Sequence, residues 1–284
     1  MMHIGLLTNS LTGVGMKDLK SIADWAYEHD IRELECGPAI AMNKAEWDAV
    51  LSEGKVAINT LIYCRNFISA DEEEAKMHTD VLRQKIEFAG EMGVGKVVCS
   101  AGQLPATIAT PDYLPEKTLD ASVAFFSDMV DLAEKKNVKL CFEMCPWMWN
   151  IACAPSVWDE LFARIKSDKL GLCYDPSHLV WQMINPYRVL KKYKDKIFHV
   201  HGKDTQIDYD ALDYYGVLQS TKWWRHRLPG LGDLDWNRII DILYEIGYDD
   251  VLSIEHEDPV WEGSEEKVKK GIILTRDHLA KFLK

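Results

Sequence analysis

VKLCFEMCP, residues 138–146, decides the fold of this 284-residue chain. Leu140, Cys141 and Phe142 follow one another with no alternating polar face, which marks a strand buried on both sides, and the apolar run stops at Glu143. Runs of the same kind recur at HIGLLT (3–8), IRELEC (31–36), KVAINTLIYC (55–64), VGKVVCSAG (94–102), LGLCYDPSH (170–178), IFHVHGKD (197–204) and VLSIEHED (251–258). Between them lie stretches of helical periodicity, such as MKDLKSIADWAYEHD (16–30), EKTLDASVAFFSDMVDLAEKKN (116–137), DWNRIIDILYEIGY (235–248) and EKVKKGIILTRDHLAKFLK (266–284). Strands covered on both faces need helices on both faces, so the pattern predicts an α/β protein. Eight strand–helix units in one domain-sized chain predict a single (β/α)₈ TIM barrel spanning residues 1–284. A doubly wound open sheet is the competitor. It loses because no G-x-G-x-x-G opens a helix, and GVGK (93–96) precedes a strand, where it reads as a tight turn.

Composition narrows the function. With 33 basic and 45 acidic residues the formal charge is −12, which disfavours a polyanionic partner, so no nucleic acid is expected. No apolar run is long enough to cross a bilayer and no signal peptide is evident at MMHIGLLTNS, so no membrane partner is expected and the cytoplasm is the expected location. The seven cysteines (36, 64, 99, 141, 145, 153 and 173) are odd in number and form no C-x-x-C pair; several lie in apolar runs, as buried reduced thiols do.

The chemistry lies at the ends of the late strands. Glu143 closes KLCFE, Asp175 and His178 close LGLCYDPSH, His201 lies in FHVHGKD, and Glu255 closes VLSIE. In a (β/α)₈ barrel the C-terminal strand ends converge on one mouth, so groups more than a hundred residues apart in sequence can meet there. Taken singly, each has an ordinary role open to it: a strand-end Glu as a solvated loop residue, Asp175-Pro176 as a turn, His201 as a hydrogen-bonded core histidine. Four ligand-type residues at equivalent points of four strands argue for a shared site, since burying those charges without a cation is costly. Two Glu, one Asp and one His form an oxygen-rich donor set that suits Mn²⁺ best, with Mg²⁺, Co²⁺ or Zn²⁺ as alternatives.

FEMCP, CYDPSHLVWQ, FHVHGKD, RHRLPGLGDLDW and SIEHED, in this order, resemble the sugar isomerase/epimerase superfamily with a xylose isomerase-like barrel. The resemblance in topology covers essentially the whole chain, and the specific motifs lie between residues 140 and 258. It implies that Glu143, Asp175, His201 and Glu255 bind the metal, that Glu143 and Glu255 are catalytic on opposite sides of the substrate, and that His178 contacts a substrate oxygen. Lys203 and Asp204 are further candidate contacts to sugar hydroxyls, with a rim salt bridge as the plain alternative. Arg225 and Arg227, ahead of LPGLGD, are candidates to reach the substrate, with ordinary solvation as theirs. PGLGD reads as a turn whose glycines permit positive φ, with Asp235 as N-cap of the helix that follows. Trp147, Trp149, Trp181, Trp223 and Trp224 are read equally as sugar-stacking platforms or as barrel-rim packing. His199 is expected to be structural, and His256 to support the site from behind. Relatives that epimerise simple ketoses often carry a histidine shortly after the first glutamate, whereas here Glu143 is followed by Met144, Cys145 and Pro146.

The expected activity is a metal-dependent isomerase or epimerase that abstracts an α-proton from a non-phosphorylated keto sugar or related ketone and passes through an enediolate. The alternative is a lyase using the same first step, either an inosose-type dehydratase or a 3-keto-glycoside- or C-glycoside-cleaving subunit; the segment from Gln206 to Trp224 would admit a bulky aglycone. An apurinic endonuclease ranks behind both, because that fold uses a cluster of metals with more histidines and must grip a polyanion. A non-catalytic sugar-binding barrel ranks last. The expected partner is a small sugar or glycoside, with a homo-oligomer or a partner subunit implied by resemblance alone.

Overall fold

The computed structural model describes residues 1–104, 116–146, 150–220 and 222–283. Eight parallel strands carry the barrel: β1 (His3–Leu7), β2 (Glu33–Cys36), β3 (Ala57–Tyr63), β4 (Lys96–Cys99), β5 (Lys139–Glu143), β6 (Leu170–Tyr174), β7 (Ile197–Gly202) and β10 (Val251–Ile254). Their hydrogen-bonded order is β1-β10-β7-β6-β5-β4-β3-β2, and it closes on itself. All eight runs read from the sequence are therefore barrel strands. The observed strands are shorter than the runs, chiefly at their C-terminal ends, because the polar residues there leave the ladder to form loops. LGLCYDPSH is the clearest case: the strand ends at Tyr174 because Asp175 becomes the N-cap of the helix Pro176–Trp181.

Contact density groups the chain into two compact units, residues 1–58, 175–195 and 199–284 in one, and residues 59–174 and 196–198 in the other. In the first, β1 pairs with β10 from His3↔Val251 to Leu6↔Ile254 and with β2 from Gly5↔Glu33 to Leu7↔Glu35. It also holds an unanticipated element, an antiparallel pair of β8 (Asp204–Ile207) and β9 (Trp224–Arg227) in the register Thr205↔His226. Both strands are four residues long and mostly polar, so neither carries the apolar run that betrays a barrel strand.

The second unit contains β4, β5 and β6, and every residue of β4 and β6 is buried, as strands covered on both faces require. Its helix Glu72–Met92 starts at Asp71, whose side chain accepts from the backbone N–H of Glu73 and Glu74, and three glutamates follow in the first turn where the helix dipole favours them. It stops at Gly93, which takes the left-handed conformation (φ 72°), so GVGK is the expected turn into β4. The helix Glu116–Lys136 presses Phe126 edge-on against Phe142 of β5, ring centroids 4.7 Å apart. Each such fully buried ring contributes about 1.5–3 kcal/mol through the water it sheds.

The PGLGD turn behaves as read, with one refinement. Gly230 has φ 88° and Asp235 caps the helix Trp236–Glu245 by accepting from Arg238 N–H. Gly232 is required for closeness instead of for φ: a Cβ there would lie 2.2 Å from Asp204 Oδ1. Among the described residues, no helix is long and apolar enough to cross a membrane.

Candidate metal centre

Asp175 is placed by the chain it caps. Its Oδ1 accepts from Ser177 N–H (2.9 Å) and Ser177 Oγ (2.6 Å), which fixes the carboxylate and turns Oδ2 towards the strand ends. The turn reading holds, and the same turn sets the direction of Oδ2. Oδ2 lies 3.0 Å from Lys203 Nζ and 3.3 Å from His178 Nε2. One step beyond β10, Glu255 brings Oε2 to 2.9 Å from His201 Nδ1 and 2.9 Å from Lys203 Nζ. Lys203, only 1% exposed, thus stands between two buried carboxylates and reaches a third, Glu257, at 3.0 Å on the rim. Glu143, buried at the end of β5, accepts from Cys64 Sγ at 2.9 Å. Asp175, His201 and Glu255, all of the first unit, each offer one donor atom within 4.8 Å of the others.

Burial pushes the Glu255 carboxyl up to about 7. The same burial opposes ionisation of Asp175, but the Lys203 ammonium and the imidazoles of His178 and His201 hold its carboxyl below the usual range. Asp175 Oδ2 and Glu255 Oε2 are both inaccessible to solvent and have no well-directed hydrogen bond, despite the charges beside them. Two hard, buried oxygens in that condition, backed by the His201 imidazole, fit a divalent cation. Burial also raises the Cys64 thiol well above its usual range, so it faces Glu143 as an S–H donor and not as a competing thiolate.

The remaining sequence candidates divide. His178 Nε2 lies 3.3 Å from Lys203 Nζ, beside the cluster. Asp204 does not face it as a sugar contact. Its two oxygens accept from the N–H groups of Thr205, Gly230 and Leu234 and from Trp236 Nε1, so it pins the PGLGD turn from within. Arg225 pairs with Gln206, and Arg227 with Asp258 and Gln206. The two-residue alternation of β9 puts both on the face opposite His226, and it is His226 whose ring meets His178 at 5.2 Å. Trp181 and Trp224 stack on each other (4.5 Å, 3°) and Trp223 is buried, while Trp147 and Trp149 lie outside the described residues. His199 is a core residue, with Nε2 at 2.8 Å from Glu35, and His256 packs against Gly271, where a Cβ would come within 2.4 Å of its Nε2.

Four residues at or behind the site went unread: Glu35, Cys64, His226 and Glu257. Glu257 carried a usable signal, a carboxylate shortly after a barrel strand, whereas Glu35, Cys64 and His226 carried none. Glu255 and Glu257 line a cavity of about 780 Å³ together with Asn9, Ser10, Glu262 and Ser264, and Lys17 is its one basic lining residue among the described residues.

The histidines and acids set opposed pH dependences. Burial lowers His178 to about 3 and His226 to about 4, so the unfolded chain binds their protons first and their contribution is lost as pH falls below 6.5. Burial raises Glu255 and Asp204 to about 7, so theirs grows as pH falls from 7 and is complete below about 4.5. The two pairs offset one another between about pH 6.5 and 4.5, and below that the loss continues, joined by Glu257, Asp175 and Glu35, whose carboxyls the neighbouring cationic groups hold low. Urea midpoints of chelator-treated protein are therefore expected to be nearly level from pH 6.5 to 5 and to drop steeply below pH 4.5. A steady decline beginning at pH 6.5 would contradict this balance.

The strands form a closed parallel α/β barrel, and the carboxylate–histidine group at its strand ends could hold a metal ion. The chain belongs to the xylose isomerase-like TIM barrel family, whose model matches residues 23–278. It is 33% identical over 102 residues to the inosose dehydratase of Lacticaseibacillus casei, a match covering 35% of this chain and 34% of that one, so the aligned stretch is about a third of that relative's length. Among solved structures it is similar to the IolI protein with a bound zinc atom (TM-score 0.73, 22% identity, 99% of each chain). It is equally similar to a D-tagatose 3-epimerase-like protein (TM-score 0.73, 21% identity, 99% of this chain and 98% of that one). At these identities the structural likeness establishes the fold.

Proposed function

We propose that this protein is a divalent-metal-dependent enzyme that removes the proton α to the carbonyl of a non-phosphorylated keto sugar or cyclic polyol ketone, and that it returns the proton as an isomerase or epimerase. The observation that carries the reading is the pair of buried carboxylate oxygens, Asp175 Oδ2 and Glu255 Oε2, with no well-directed hydrogen bond. Glu143, Asp175, His201 and Glu255 would hold the ion, with Mn²⁺ preferred by the oxygen-rich donor set. The ion would polarise the substrate carbonyl and take up the negative charge left as the α-proton departs.

The chain's own groups move the proton. One of Glu143 and Glu255 accepts it from the α-carbon, and the C–H electron pair passes towards the carbonyl oxygen. Delivery of a proton to the opposite face of that carbon inverts it; delivery to the neighbouring carbon isomerises the sugar. His178, held neutral by burial, and the Lys203 ammonium supply hydrogen bonds to substrate oxygens. The cavity lined by Glu255, Glu257 and Glu262 repels phosphate, which favours neutral substrates, and the cytoplasm, with its reduced thiols, suits all seven cysteines.

A second reading is supported by the inosose dehydratase relative. If the electron pair expels a β-hydroxyl instead of awaiting a proton, water leaves and the same groups make a lyase. Proton NMR in D₂O separates the two, using D-tagatose and an inosose with Mg²⁺-loaded protein. Deuterium at the α-carbon with the carbon skeleton intact is expected for the first, and an unsaturated ketone with loss of water for the second. No metal-dependent exchange or elimination with either ketone would count against the proposal.

A further inference from the structure

We infer that Glu35 is a positioning residue for the metal centre: it holds His201 in the tautomer whose Nδ1 lone pair faces the ion. The inference rests on the metal reading above and deepens it. His201 uses its two ring nitrogens in opposite directions. Nδ1 points to Glu255 Oε2 (2.9 Å) and Asp175 Oδ2 (3.9 Å), whereas Nε2 points to Glu35 Oε2 (3.1 Å) and Oε1 (3.3 Å). An imidazole that coordinates through one nitrogen keeps its proton on the other, and a carboxylate at the second nitrogen fixes that choice and the ring plane while making the ligating nitrogen more basic.

Glu35 is built for that task and for little else. It lies at the end of β2, 1% exposed, too deep in the barrel to meet substrate. Its Oε2 also receives Ser253 Oγ at 2.8 Å and faces His199 Nε2 at 2.8 Å. Three donors from β7 and β10 converge on one carboxylate from β2, so the anion is set in place before any ion arrives. A neutral amide there would accept more weakly, and its own N–H₂ would confront at least one of these donors.

The test is metal binding, which a purely structural role would leave alone. Mn²⁺ affinity of chelator-treated protein is measured by electron paramagnetic resonance for the wild type, Glu35→Gln, His201→Ala and the double variant. Glu35→Gln is expected to weaken Mn²⁺ binding by about 10–100-fold. It should weaken binding no further when His201 is already Ala. An unchanged affinity, or an equal loss with and without His201, would overturn the inference. Should Glu35→Gln not fold, the wild type still decides: in Zn²⁺-loaded protein labelled with ¹⁵N-histidine, His201 is expected to keep a proton on Nε2 and carry the metal on Nδ1, and the reverse arrangement overturns the inference. Failure of the wild type to bind any of these ions would overturn the metal reading itself, which sets that outcome apart from a wild type that binds and a Glu35 variant that binds equally well.

Discussion

Glu143→Gln is expected to lower metal-dependent substrate interconversion by about 10²–10⁴-fold, the range for losing a general acid–base group. The amide keeps the shape of the side chain and still accepts the Cys64 thiol proton at the 2.9 Å contact, so the fold is not the casualty. It cannot carry a proton, however, and its oxygen is a weaker ligand than a carboxylate. The same substitution at Glu255 is expected to cost as much in turnover, and it also removes one of the two carboxylates facing Lys203 in the interior. The pair of variants is informative because the roles of the two glutamates are asymmetric in each direction of the reaction. In an epimerase, one variant should still exchange the α-proton of one epimer, and the other variant that of the second, while neither interconverts them. Full exchange with both epimers in Glu143→Gln, or unchanged interconversion, would remove that residue from the chemistry, whatever its place beside the metal.

The eight barrel strands were legible because each needs apolar residues on both faces, a local property that short runs display directly. The four proposed ligands were legible for a different reason. Barrel topology alone brings strand ends together, so a carboxylate or imidazole at the end of a buried run has a destination even without a known partner. Glu35 escaped this logic. In IRELEC it alternates with Glu33, and nothing local reveals that His199 and His201, more than 160 residues later, turn towards it. The partners of Asp204 and of the β9 arginines were not read because the β8–β9 hairpin was not foreseen. Once its register is known, the two-residue alternation sends Arg225 and Arg227 to one face and His226 to the other. Side-chain direction in a short polar strand is set by its partner strand, and its own sequence does not encode that.

Lys203→Met is expected to destabilise the metal-free protein by about 3–5 kcal/mol, the cost of stripping a buried charge of its partner. Methionine nearly matches the lysine stem in volume, so packing changes little, but Asp175 and Glu255 then face each other with no cation at 3 Å. Against a total stability of about 5–15 kcal/mol this is a large fraction, and the urea midpoint in chelator should fall accordingly. The ammonium and a metal ion compete for the same two oxygens, since Nζ approaches Asp175 Oδ2 at 3.0 Å and Glu255 Oε2 at 2.9 Å. Removing it should therefore make Mn²⁺ bind more tightly than it does to the wild type, even though the variant is the less stable protein. Mn²⁺ at 100 times its dissociation constant returns about 2.7 kcal/mol, so much of the lost stability should reappear on loading. A merely structural lysine would give the destabilisation without tighter metal binding, and a wild-type midpoint in chelator would show that Lys203 does not neutralise the carboxylates at all.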